Sequence, residues 1–185
     1  MRQRKASRLS PFLKMFEKAG RLKSEPRRGW VKKLKVTDPE SVADHSFRTA
    51  LMAMVLSDAW GLDTAKAVSM AILHDLPEAI VGDAMPEERS GRSKVALETR
   101  AMKELVGGLP PRLRARYRAL WSEFVAGKSK EARLVRQLDK VEMAFQASEY
   151  VAIGYSREKA KEFMASARRK VTDARLASLL REIEG

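Results

Sequence analysis

Four residues with the chemistry of metal ligands lie in three separate stretches of this 185-residue chain: His45 in Val42-Ala43-Asp44-His45, His74 and Asp75 in Leu73-His74-Asp75-Leu76, and Asp139 in Leu138-Asp139-Lys140-Val141. His45 and His74 are the chain's two histidines, and each sits beside a carboxylate. Neutral imidazoles and carboxylates together suit Mn, Fe, Co, Ni or Zn in the divalent state. Two His and two Asp neutralise such an ion, and a six-coordinate centre keeps positions for water. Hydrolytic chemistry needs an open position, because bound water becomes a nucleophile near neutral pH. Each residue alone has a plain structural explanation, since an isolated helical His is usually a satisfied core group. The ensemble carries the argument, and it includes Glu78, one helical turn after His74 and on the same face. A carboxylic acid there is placed to give a proton to a leaving oxygen. Its simpler reading is a first-turn acid after Pro77, favoured by the helix macrodipole.

The elements that must position these groups are helical. Strand signals are weak, while apolar residues recur at helical spacing along most of the chain. Phe12, Leu13 and Phe16 mark a helix over about 10–19. Asp38-Pro39-Glu40 offers an N-cap, a first-turn proline and an early acid for the next helix. That helix sets Ala43, Phe47, Ala50, Leu51, Met54 and Val55 on one stripe and ends at Gly61. Asp63-Thr64 opens a third helix through Val68, Ala71, Ile72 and His74. Pro77 disfavours helical geometry at Leu76, so this helix must stop or bend directly after His74-Asp75. The break matters, because neighbouring side chains on a regular helix diverge by about 100°. A loop follows at about 82–91, then helices at about 92–106, 111–126, 129–153, 157–170 and 173–183. The expected architecture is all-α, one domain over 1–185 with seven or eight helices. Residues 1–35 form a basic N-terminal helix and arm, and 156–185 the C-terminal helices.

Composition narrows the function classes. Hydrophobic residues make up 44% and charged residues 33%, a globular balance. No run approaches the roughly 18 apolar residues that span a bilayer, and the N-terminus lacks a signal-peptide core, so a cytoplasmic location is expected. Cysteine is absent, which excludes disulfides and thiolate metal sites. Asparagine is absent too, with Lys, Arg and Glu abundant, a thermophile-like pattern. Residues 1–35 hold thirteen Lys or Arg against Glu17 and Glu25, whereas the rest of the chain holds 24 basic and 22 acidic groups. Such a basic segment attracts phosphate-bearing molecules or forms a solvated surface.

The motifs resemble the HD superfamily of metal-dependent phosphohydrolases, whose pattern is H…HD…D. Arg27-Arg28-Gly29-Trp30, Pro39 through His45, and the run from Leu73 through Pro86 (LHDLPEAIVGDAMP) look like the branch holding the bacterial 5'-deoxynucleotidases and HD-domain-containing protein 2. The likeness covers roughly residues 8–155. It implies an all-α HD-type helical bundle, a homodimer, one divalent ion (Mn, Co, Mg, Zn, Ni or Fe), and hydrolysis of (deoxy)nucleoside 5'-monophosphates to nucleoside and phosphate. By position, His45, His74, Asp75 and Asp139 match the metal ligands, with Asp75 also counted in the catalytic set. Glu78 matches the catalytic acid, Trp30 a substrate contact, and Asp83-Ala84-Met85-Pro86 the segment lining sugar and base. The phosphate-orienting arginine is Arg27 or Arg28, since this chain has Gly29 directly before the tryptophan.

Two other readings stand beside this one. An HD phosphohydrolase acting on nucleoside triphosphates or another phosphoester would use the same centre; the cyclic-dinucleotide branch lacks its GYP sequence here. A nucleic-acid-binding module would use the N-terminal charge with Arg112, Arg114, Arg116 and Arg118. Those arginines alternate around a helix with Tyr117, Leu120, Trp121 and Phe124 turned inward, and no ladder of exposed aromatics accompanies them.

Overall fold

Side-chain caps set where the helices begin. Ser10, Asp63, Ser129 and Ser156 each accept a hydrogen bond from the backbone N–H three residues on. The computed structural model describes residues 10–84 and 91–184. The helices are α1 (Pro11–Ala19), α2 (Val42–Trp60), α3 (Thr64–Leu73), α4 (Glu78–Val81), α5 (Gly91–Val106), α6 (Pro111–Ala126), α7 (Lys130–Ala152), α8 (Arg157–Lys170) and α9 (Ala174–Glu184). A 3₁₀ turn (Gly20–Lys23) and a π turn (Trp30–Leu34) lie between α1 and α2. Among the described residues there is no strand, only an isolated antiparallel bridge between Pro26 and Ser41. The all-α expectation holds, with the four-residue α4 added to eight longer helices.

Two local expectations fail. The cap of α2 is Ser41, not Asp38. Its side chain accepts from the Asp44 N–H while the Asp44 carboxylate takes the Ser41 N–H, a reciprocal capping box. Pro39 and Glu40 therefore stay outside the helix, and the Glu40 N–H is held by the Tyr150 hydroxyl at 2.8 Å. The apolar stripe of α2 also enters the core only in part, through Ala43 and Ala50. Phe47, Leu51, Met54 and Val55 are exposed, whereas Val42, His45, Thr49, Ala53 and Ser57 form the buried face.

The core is organised around α7. Ala132, Val135, Leu138, Val141, Ala144 and Ala147 recur every third residue and are all almost wholly buried. Steps of three drift by about 60° around a helix, so the buried line winds round α7. This accounts for its being packed by α2, α3, α6, α8 and α9 together. Leu138, fully buried, fixes the rotation of α7 and so the direction in which Asp139 points. Leu138→Ala would cost about 2–5 kcal/mol. On α6, Trp121 is buried and Tyr117, Leu120 and Phe124 pack against the core, as their spacing indicated.

Candidate metal centre

Three elements bring the ligand candidates together. His45 lies in the first turns of α2, whose start is set by the Ser41–Asp44 box. Helix α3 ends at Leu73 with His74 as its C-cap, and the chain bends through Asp75–Pro77 before α4 starts at Glu78. Asp139 projects from the middle of α7. His45 Nε2 lies 3.3 Å from His74 Nε2, 3.4 Å from Asp139 Oδ1 and 3.6 Å from Asp75 Oδ2. His74 Nε2 is 3.2 Å from Asp75 Oδ2. The break at Pro77 lets adjacent His74 and Asp75 face one point, as required.

The hydrogen bonds on the far sides of the rings decide what the near sides can do. His74 Nδ1 lies 2.6 Å from the Ala71 carbonyl oxygen. A carbonyl only accepts, so Nδ1 carries a proton and Nε2 is the atom turned to the cluster. His45 Nδ1 donates likewise to the buried Glu142 carboxylate. Two imidazole nitrogens thus converge with two carboxylate oxygens in a space nearly closed to solvent, which favours a cation at their centre. Neighbouring ligand atoms about 2.0–2.2 Å from a divalent ion lie about 2.8–3.6 Å from one another in tetrahedral or octahedral arrangements. The four separations above fall in that range, and the donor atoms of His45, His74 and Asp139 all lie within 4.8 Å of one another, so these donors suit such an ion.

Electrostatics give the same answer. Burial and Arg27 oppose a proton on His45, but hydrogen bonds to Asp139 and Glu142 prevail and raise its pKa to about 9. Despite burial, His74 and Arg27 hold the Asp75 carboxyl well below the usual range. Lys140 and the histidines do the same for Asp139 against its burial. The cluster attracts positive charge, whether a proton or a metal ion.

Beside the cluster opens a cavity of about 390 Å³. Arg27 reaches into it, 3.3 Å from Asp75 Oδ2 and 3.9 Å from Asp83 Oδ1. Arg28 does not line it; its backbone N–H donates to Asp83 Oδ2 at 2.7 Å and its guanidinium to the Asp83 carbonyl. The two arginines are thereby separated into one that faces the cavity and one that holds a wall. Gly82, at φ +72°, turns the chain so that Asp83 and Ala84 line the cavity, while the Asp83 N–H is tied to Glu25. Trp30 is on the wall but only 2% exposed; its indole N–H donates to Glu40 and its ring packs on Phe163. Met85 and Pro86 lie outside the described residues.

Glu78 is 3% exposed, and its Oε2 is buried without a hydrogen-bond partner. Desolvation, then the charge of Asp75, pushes its carboxyl well above the usual range. A carboxyl on a cavity wall that holds its proton more tightly than usual is equipped as a general acid.

Several residues here were not singled out from the sequence. Glu142 orients His45 and is itself gripped by Arg48 through Nε at 2.9 Å. It stands three residues after Asp139 and so on the same helix face, as Glu78 does four residues after His74, so the signal was present. Lys94 and Lys140 line the cavity, and Glu98 pairs with Lys94, with no comparable motif.

The profile of the HD domain family matches residues 19–180. The chain is 38% identical over 174 residues to human 5'-deoxynucleotidase HDDC2, covering 94% of this chain and 84% of that protein. A conserved hypothetical protein from Pyrococcus furiosus has a similar structure, with a TM-score of 0.77, 31% identity, and 93% and 98% of the two chains covered. A predicted metal-dependent phosphohydrolase from Magnetospirillum magnetotacticum gives a TM-score of 0.71 at 25% identity, covering 99% and 94%. With its profile spanning most of the residues and the H…HD…D side chains meeting in space, this chain belongs to the HD domain family.

Proposed function

We propose that this chain is a divalent-metal-dependent phosphohydrolase that releases phosphate from deoxynucleoside 5'-monophosphates. The observation that carries the reading is one juxtaposition. Two imidazole nitrogens and two carboxylates converge beside a cavity that also holds a guanidinium and a buried carboxyl whose Oε2 has no hydrogen-bond partner. The curated relatives named 5'-deoxynucleotidase support the substrate class. When bound by His45, His74, Asp75 and Asp139, a divalent ion supplies Lewis acidity to the phosphoryl group and to water. Mn, Co, Mg, Zn, Ni and Fe are the candidates.

The protein's own groups do the rest. Arg27, aimed into the cavity by Asp75 and Asp83, pairs with phosphoryl oxygens in bidentate fashion. Glu78 gives its proton to the 5' oxygen as the P–O bond breaks, which matters because an alkoxide is a poor leaving group. Asp83 and Ala84 line the sugar side, with the Trp30–Phe163 pair as an apolar wall. Arg28 acts through Asp83, not on phosphate.

No helix among the described residues is long and apolar enough to cross a membrane, and the reading places the enzyme in the cytoplasm as one HD domain over 1–185. It also takes the protein as a homodimer. Phe47, Leu51 and Val55 of α2 with Phe145 of α7 form an exposed apolar face, of the kind that marks an interface.

The test is phosphate release from a panel of nucleoside mono-, di- and triphosphates under each added ion, with His74→Ala as control. Release from deoxynucleoside monophosphates that vanishes in the control supports the reading. Release from triphosphates alone would replace it.

A further inference from the structure

We propose that Lys94 is a second cationic contact for the substrate's phosphoryl group, beside Arg27; the proposal rests on the phosphohydrolase reading above. On α5 the inward face runs through Ala101, Met102 and Leu105, all buried. Continuing that face one and two turns toward the N-terminus gives Glu98 and Lys94. Charged residues normally occupy the outward side of a helix, so an ion pair that prolongs the buried stripe needs a reason. The reason is the cavity, because Lys94 lines it. The Glu98 side chain is only 15% exposed and lies 3.3 Å from Lys94 Nζ, which aims the ammonium inward.

Charge balance shows what the ammonium is for. A divalent ion, Arg27 and Lys140 bring four positive charges against three negative ones from Asp75, Asp83 and Asp139. A phosphate monoester then adds up to two more negative charges. Among the other cations on the wall, Lys140 is paired with Asp139 at 2.8 Å and Lys33 with Glu162 at 2.5 Å, while Arg169 and Lys170 are exposed at the end of α8. Lys94 holds longer contacts, 3.3 Å to Glu98 and 4.0 Å to Glu78 Oε1. It stands next to the proposed acid, where the bridging oxygen must lie. An ammonium on a four-carbon stem is able to swing from Glu98 to a phosphoryl oxygen without leaving the cavity.

The experiment compares wild type, Lys94→Met and Lys94→Arg, each loaded with Mn, by calorimetric titration with inorganic phosphate. Metal content is measured on the same samples, and KM and kcat on a deoxynucleoside monophosphate. Lys94→Met should weaken phosphate binding and raise KM by roughly 10–100-fold, the range of one charge-assisted hydrogen bond. Metal content should stay the same, and Lys94→Arg should restore most of the affinity. Unchanged phosphate affinity in Lys94→Met overturns the proposal, as does a loss that tracks loss of metal. If the wild type hydrolyses no monophosphate, the nucleotidase reading falls, while the phosphate titration still decides the role of Lys94.

Discussion

Nδ1 of His45 donates to the carboxylate of Glu142, and neither side chain touches solvent. Glu142 is in turn held by Arg48, which also grips Glu149 at 2.8 Å. The chain of contacts sets the ring angle, assigns the tautomer and makes Nε2 a better donor. Glu142→Gln keeps the shape but removes the charge. We expect metal affinity to fall about 10–100-fold, with helical content unchanged by circular dichroism. Wild-type affinity in a calorimetric Mn titration of Glu142→Gln would show that Asp139 and His74 suffice to orient the centre.

Glu78 separates catalysis from metal binding. It is absent from the four-donor cluster, so Glu78→Gln should bind metal as the wild type does. Turnover on a monophosphate should drop roughly 10²–10⁴-fold. Elemental analysis and steady-state rates on one preparation test both halves. A monoester with a more acidic leaving group should recover part of the rate, since it needs less protonation.

The proton on His45 competes with the metal. Its pKa is 6.5 ordinarily and about 9 in the fold, so the folded state binds the proton more tightly than the unfolded. In metal-free protein this stabilisation is fully present below about pH 6.5 and is lost as pH rises through about 9. Metal binding must displace that proton, so affinity rises with pH over the same window, about tenfold per unit for one proton. Melting temperatures of loaded and metal-free protein should therefore diverge between pH 6.5 and 9. Titration in two buffers of different ionisation enthalpy should show a proton released; none released would contradict this account.

The outer face of α2 predicts association. Val55 is 53% exposed and Phe47 72% exposed, on a helix whose inner side is already packed. Phe47→Asp with Val55→Glu should convert a dimer into monomers by analytical ultracentrifugation. Stability of the isolated chain should change little, because neither side chain leaves the core. A wild type that sediments as a monomer would remove the dimer from the proposal.

Much of the site was legible residue by residue. The break after His74-Asp75 follows from Pro77 acting on Leu76, and the helix ends follow from Ser10, Asp63, Gly61 and Gly127, all effects that operate within one turn. The ligand types limited the chemistry to a divalent cation because no thiol exists. The start of α2 was misplaced although its signal is equally local: Ser41 and Asp44 satisfy each other's backbone N–H groups, and that reciprocity outweighs a proline at 39.

Other features depend on contacts between distant segments. Periodicity reveals that α2 has an apolar side, but not whether a neighbour covers it, and here the side bearing His45, Thr49 and Ala53 was buried instead. Arg27 and Arg28 are chemically identical; the bridge at Pro26–Ser41 and the carboxylate of Asp83 assign one to the cavity and the other to its wall. Glu142 gained its role from being packed against α2, 97 residues away in the chain. Spacing along a helix dictates which side chains share a face, because that geometry is local and rigid. Which faces meet depends on how whole surfaces fit together, and that is settled only when α2, α3 and α7 close around one point.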